Sequence, residues 1–232
     1  MTSAPADQRP LSPSPRSTIR RGVRRARTDR AELYAVLDAG LVGHLGVVLD
    51  GAPVVLPTWY GRVDDTLYLH GSTGAATLRA AATGRPVAFT VTHVDGIVYA
   101  RSSFSHSMNY RCAVVHGVAQ LVTDPAERLR ALAALTEQLA PGSWTATRQP
   151  DRRELAATAV LSLDLAEASL KVRTGPPGDD DRDLAADAGP MPVWAGVLPL
   201  RTVPGEPVPD PRLPTGVPVP PRVRNRAVSR PG

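Results

Sequence analysis

The chain of 232 residues holds one cysteine, Cys112, which excludes an internal disulfide and any metal centre built from several thiolates. That scarcity fits a reducing compartment, and the expected location is the cytoplasm. No apolar run approaches the roughly 18–20 residues needed to cross a bilayer, and the Arg-Arg pairs near the N-terminus are not followed by the apolar stretch of a signal sequence. Lysine is almost missing: of 27 basic residues only Lys171 is not arginine. A compact ammonium retained at one place suits a single anionic oxygen or the edge of a polar ring, where a planar guanidinium would not fit. A lone lysine on a solvated turn explains it equally well.

The middle of the chain also lacks positive charge. The net charge is +5, but residues 1–30 carry eight Arg against Asp7 and Asp29, and residues 204–232 carry five Arg against Glu206 and Asp210. The two ends thus hold +6 and +3, which leaves −4 for residues 31–203. Without a basic face a folded domain cannot hold a phosphate backbone, so nucleic acid is not an expected partner.

Residues 1–26 are rich in Pro, Ser and Arg, and residues 204–232 contain nine prolines. Both read as disordered, solvated tails around one domain over residues 27–203. Asp29 is placed to cap a helix carrying Leu33, Val36 and Leu37 up to Gly40. From Leu41 the texture turns to short β-branched runs. Strands are expected over Gly43–Leu49, Pro53–Arg62, Thr66–His70, Pro86–His93, Ile97–Phe104 and Tyr110–Thr123, with turns at Asp50-Gly51, Asp64-Asp65 and Asp95-Gly96. Ser72 and Thr73 suit the cap of an alanine-rich helix over Ala75–Ala82 that Gly84 ends. Asp124-Pro125 opens a helix with Leu129, Leu132, Leu135 and Leu139 on one face, and Pro141-Gly142 stops it. Ala157–Ser169 is a strand or a mixed segment, and Gly175–Pro192 reads as a mobile loop before the apolar Val193–Leu200. The hairpins come too early for parallel crossovers. The expected fold is mainly β, in the α+β class: an antiparallel six-stranded barrel with flanking helices.

Two segments concentrate chemistry. Leu67–Ser72 (Leu-Tyr-Leu-His-Gly-Ser) runs from a strand into a helix start, where free N–H groups and the positive end of the dipole favour an anion. Gly71 permits close backbone approach, and the Ser72 or Thr73 hydroxyl can add a bond; an ordinary strand–helix junction with a serine cap uses the same residues. Ser102–Cys112 gathers hydroxyls, an imidazole, an amide and a guanidinium before an apolar strand, a set that can surround a polar headgroup, although loops also favour Ser and Asn. His106 has no second ligand at a metal-like spacing. His44, His93 and His116 lie inside strand patterns.

Taken together, Val55–Tyr60 (Val-Leu-Pro-Thr-Trp-Tyr), Leu67–Ser72, His106–Cys112 (His-Ser-Met-Asn-Tyr-Arg-Cys), and Lys171–Pro177 with Pro192–Leu200 resemble the FMN-binding split-barrel proteins related to pyridoxamine 5′-phosphate oxidase, in the flavin-nucleotide-binding branch. The resemblance spans roughly residues 25–200. It implies a split β-barrel that pairs as a homodimer, with FMN in the dimer groove. Pro57, Thr58, Trp59 and Tyr60 would line the isoalloxazine ring through their backbone. His70, Gly71, Ser72, Thr73 and Arg79 would face the phosphate or ribityl chain, Ser107, Asn109 and Arg111 would add hydrogen bonds, and Lys171 and Trp194 would approach the ring from the partner subunit. The implied activity is a flavin-dependent oxidation or reduction of a small molecule, in which the cofactor carries the redox chemistry.

The alternatives within the resemblance are a non-catalytic flavin carrier or sensor, or a haem-binding relative with one of His70, His106 or His116 as axial ligand; a deazaflavin is the other cofactor in view. The chain departs from the family pattern twice. Ala75 and Ala76 stand where relatives often carry a basic residue, and the end of the domain, Val197–Arg201, lacks the basic strand that grips a substrate phosphate. Pyridoxamine phosphate oxidation itself is therefore not expected.

Overall fold

Asp29 begins the first helix as its position suggests. Its carboxylate accepts from the Ala31 N–H at 2.8 Å, and α1 (Arg30–Ala39) runs to Gly40. The computed structural model describes residues 10–11, 14–186 and 192–228. Beyond α1, β2 (Gly43–Leu49) and β3 (Ala52–Thr58) form a hairpin at Asp50-Gly51, whose φ angles of 51° and 80° are those a two-residue turn needs.

The expected single strand Pro53–Arg62 is broken at Trp59. β3 stays beside β2, while β4 (Tyr60–Val63) pairs with β5 (Thr66–Ser72) in a second sheet. Asp95-Gly96 also behaves differently from expectation. It is a bulge within one continuous strand, β6 (Pro86–Tyr99), and neither residue has a positive φ. Gly96 is small for another reason: a Cβ there would stand 2.9 Å from Val197 Cγ1 and 3.1 Å from the Leu198 oxygen, on the strand β11 (Gly196–Pro199) laid beside it.

The remaining strands are β7 (Ser107–Val118), β8 (Gln120–Leu121), β9 (Thr158–Asp164) and β10 (Glu167–Arg173), with a short β1 (Ala26–Arg27) at the start. The mixed segment Ala157–Ser169 thus resolves into a helix end, the whole of β9 and the start of β10. One sheet runs β1-β10-β7-β6-β2-β3 with β11 also on β6; the other runs β4-β5-β9-β8, and every pairing is antiparallel. The expected antiparallel split barrel with flanking helices is the observed architecture, with eleven strands among the described residues where six were expected.

Helices α2 (Ala76–Ala81), α3 (Pro125–Leu139), α4 (Ser143–Ala146), α5 (Arg152–Ala157), α6 (Asp181–Ala186) and α7 (Pro221–Val228) flank the sheets. Asp124 caps α3, accepting from the Glu127 N–H at 2.7 Å. The face of α3 that is fully buried carries Ala131 and Leu135, whereas Leu129 and Leu139 are exposed. The cause is Gly61, which brings β4 against the helix so closely that a Cβ would lie 2.7 Å from the Leu135 nitrogen.

Leu33, Leu37, Leu45, Tyr60, Phe89 and Leu161 belong to the main core, while Tyr68, Val122, Ala131, Leu135 and Val160 form a second cluster between the β4–β5 sheet and α3, with Trp59 packed on it. Among the described residues no helix is long and apolar enough to cross a membrane.

The solvated-tail reading of residues 1–26 does not hold from Pro10 onward. Leu11 is 5% exposed within the main core, Ser14 and Arg16 both donate to Glu167, and Lys171 Nζ donates to the Arg21 oxygen at 2.9 Å. One apolar anchor and a few polar contacts hold the segment, a signal that a Pro/Ser/Arg-rich composition hides. Toward the C-terminus the chain is mostly exposed, but α7 forms there and Arg226 donates to the Gln138 oxygen at 3.4 Å. Residues 1–9, 12–13 and 229–232 of those tails, and 187–191 of the Gly175–Pro192 loop, lie outside the described residues.

Candidate functional site

The break at Trp59 creates the first part of the site. β3 is the last strand of its sheet and β4 the last of the other, so Pro57 and Thr58 lie on an edge whose outer backbone groups have no strand partner among the described residues. Val55 and Leu56 on that edge are 63% and 42% exposed. An open apolar edge of this kind is ordinarily covered in a folded assembly.

Trp59 itself turns toward α3, where its indole N–H donates to the Leu135 oxygen at 2.9 Å. Tyr60, the next residue, points the other way. It is fully buried, its hydroxyl donates to the Leu37 oxygen and it stands opposite Leu69 on β5, so it belongs to the core.

His70 on β5 meets Trp59 edge-on, with ring centroids 4.7 Å apart. Its Nδ1 is buried and has no hydrogen-bond partner, and burial holds its pKa below the ordinary histidine value, which favours the neutral ring. Buried polar atoms are almost always paired, and an orphan on a neutral imidazole marks a place where a bound group would supply the missing partner. The two sequence blocks that hold Trp59 and His70 thus meet in the fold.

The helix-capping part of the expectation changes. α2 starts at Ala76, its N-cap is Ala75, and no side chain caps it. Ser72 is spent one turn earlier, its hydroxyl accepting from the Gly74 N–H at 3.1 Å, and the Thr73 N–H donates to the Ala157 oxygen at 3.0 Å. The glycine at 71 serves the fold, since a Cβ there would meet Leu78 Cδ1 at 2.3 Å. Arg79 is exposed in the last turn of α2.

The other predicted residues lie along β6, β7, β10 and β11. Arg111 grips Asp95 of the bulge with two bonds, at 2.9 and 2.8 Å. Asn109 is buried, donates to the Gly175 oxygen at 3.1 Å and accepts from Arg173. Arg173 also donates to the Pro176 oxygen at 3.2 Å, and burial with Arg25 nearby lowers its pKa. Together with an Arg101–Asp179 ion pair at 2.8 Å, these bonds tie down residues 175–179 of the segment read as a mobile loop. Ser107 begins β7 opposite Val98, half-buried. Lys171 stands opposite Cys112 and is engaged with the N-terminal segment. Trp194 is 67% exposed and meets Tyr99 edge-on at 5.7 Å.

Asp95, Arg173 and Tyr99 were missed by sequence reasoning, because a turn dipeptide, one arginine among many and a strand tyrosine carry no distinctive signal. The predicted residues thus form two groups. Pro57 sits level with His44, which pairs with Thr90 on β6, whereas Trp194 lies near Tyr99 at the far end of that strand. At 3.3 Å per residue the two levels are roughly 30 Å apart along β6. One chain does not bring Trp194 to its own Pro57–Trp59 seam.

Among the described residues no three His, Cys, Asp or Glu side chains gather as a metal-ligand set. No curated protein matches the chain. A solved flavocytochrome, Anf3 from Azotobacter vinelandii, is 39% identical over 93% of this chain and 98% of its own, with a TM-score of 0.86. An FAD- and haem-binding protein from Mycobacterium smegmatis is 43% identical over 87% of this chain and 97% of its own, with a TM-score of 0.81. A putative 5-nitroimidazole antibiotic resistance protein from Bacteroides thetaiotaomicron, 19% identical over 63% of this chain and 86% of its own, shares the fold with a TM-score of 0.55. The family model for pyridoxamine 5′-phosphate oxidase matches residues 29–172, more than half of the chain. The chain belongs to the pyridoxamine 5′-phosphate oxidase family.

Proposed function

We propose that this protein is a cytoplasmic homodimeric flavoprotein that also carries haem, and that it oxidises or reduces a small molecule. The observation that carries the reading is the end-to-end likeness to a flavocytochrome and to an FAD- and haem-binding protein at 39% and 43% identity. Two local features fit a flavin. The open β3 edge offers backbone N–H and C=O groups to the rim of an isoalloxazine ring, and His70 offers a buried, unpartnered nitrogen beside it. The flavin would supply hydride or electron transfer; the protein's part is to bind it, orient it and keep water from its ring. The roughly 30 Å between the two groups of predicted residues, measured along the strand, favours a site completed by Trp194 of a second copy.

The sequence resemblance implies FMN, but FAD is the form proposed here. What supports FAD is the likeness, at 43% identity, to a protein that binds FAD together with haem. Heat release of the flavin followed by chromatography tests this, with FAD as the expected product. Recovery of FMN would overturn the assignment of the flavin's form, and recovery of no flavin after reconstitution would overturn the function itself.

A further inference from the structure

His106 closes the segment between β6 and β7, and its Nδ1 lies 2.9 Å from the Ser102 carbonyl oxygen. An imidazole that donates Nδ1–H to a backbone carbonyl is held in the tautomer that leaves the Nε2 lone pair free, the arrangement common among metal-bound histidines. The His106 ring is exposed and stands edge-on to Tyr99 at 5.9 Å; Tyr99 in turn meets Trp194. Around this histidine the surface is unusually apolar. Phe104 is 95% exposed, Trp194 67% and Met108 49%, and Met108, Ile97 and Leu198 follow one another across three paired strands. Contiguous apolar surface of this kind marks a binding face.

The other histidines are placed differently. His44 stands between Pro57 and Thr90 on β2, His93 Nε2 is 3.0 Å from the Val36 oxygen, His116 stands opposite Glu167 on β10, and His70 belongs to the Trp59 seam.

Resting on the flavin-and-haem reading above, we propose that His106 is an axial ligand of the haem iron, and that Tyr99, Phe104 and Met108 cover one face of the porphyrin. A flat, apolar macrocycle matches an aromatic platform, and a histidine with a free, oriented Nε2 supplies the bond to iron.

The test uses the full-length protein, loaded with hemin and compared with His106→Ala, His70→Ala and His116→Ala. The expected result is that His106→Ala keeps its fold and its flavin but loses the parent's Soret and visible bands. Its hemin affinity should fall by at least about tenfold, and added imidazole should restore the parent spectrum. The other two variants should keep the parent haem spectrum. A His106→Ala protein with that spectrum unchanged overturns the inference alone, as does loss of the spectrum on replacing His70 or His116. A parent that takes up flavin but no haem overturns the haem reading, and this inference with it. A patch covered by a second copy instead would show as Phe104→Ala and Met108→Ala variants that become monomers while retaining haem, and that outcome also counts against the proposal.

Discussion

Asp95 and Arg111 hold each other across β6 and β7, with side chains about one-third exposed at 32% and 30%. A forked arginine on a carboxylate at this depth contributes about 1 kcal/mol or less. Arg111→Ala and Asp95→Ala are each expected to lower stability by about that amount, and the double variant by less than the sum, in denaturant titrations. Flavin binding should follow the same logic. If Arg111 stays on Asp95, the affinities of Arg111→Ala for FMN and for riboflavin, followed by fluorescence quenching, change together or not at all. A loss of about tenfold to a hundredfold confined to FMN would show that Arg111 leaves Asp95 for the phosphate.

At the scale of elements, α3 and β4 set the position of the Trp59 seam. Gly61 lets their backbones touch, and Trp59, two residues earlier, donates to the carbonyl of the same Leu135. Gly61→Ala would force a Cβ into backbone that cannot turn aside. It is expected to cost about 1–3 kcal/mol in denaturant titration and to lower flavin uptake as the seam opens. An unchanged melting curve would show that the contact is looser than described.

The same elements show what could be read in advance. The Asp29 and Asp124 caps were legible because capping chemistry is local. So was the Asp50-Gly51 turn, whose left-handed residues Asp and Gly tolerate. Asp95-Gly96 carries the same two residues but serves a bulge under β11, and only the tertiary neighbour decides between the two uses. Of the candidate site, Trp59 and His70 could be brought together from ordered blocks. The partners of Asn109, Arg111 and Lys171 lie 66, 16 and 150 residues away in sequence, where no local pattern reaches.

At the scale of the whole molecule, the N-terminal segment is part of the fold. Burying one leucine contributes about 1.5–3 kcal/mol, and Leu11 is joined by the contacts of Ser14, Arg16 and Arg21. Removing residues 1–25 is therefore expected to lower stability by more than about 2 kcal/mol, whereas removing 204–232, held by few contacts, should stay within about 0.5 kcal/mol. Equal melting of the full chain and the N-terminally shortened one would show the segment to be an ornament of the surface. That this barrel holds a flavin and a haem together is best checked by the absorption spectrum of the purified 232-residue protein before and after anaerobic reduction. Flavin bands that bleach and a Soret band that shifts are expected in the same sample. A protein that lacks either chromophore after incubation with FAD and hemin would overturn that reading.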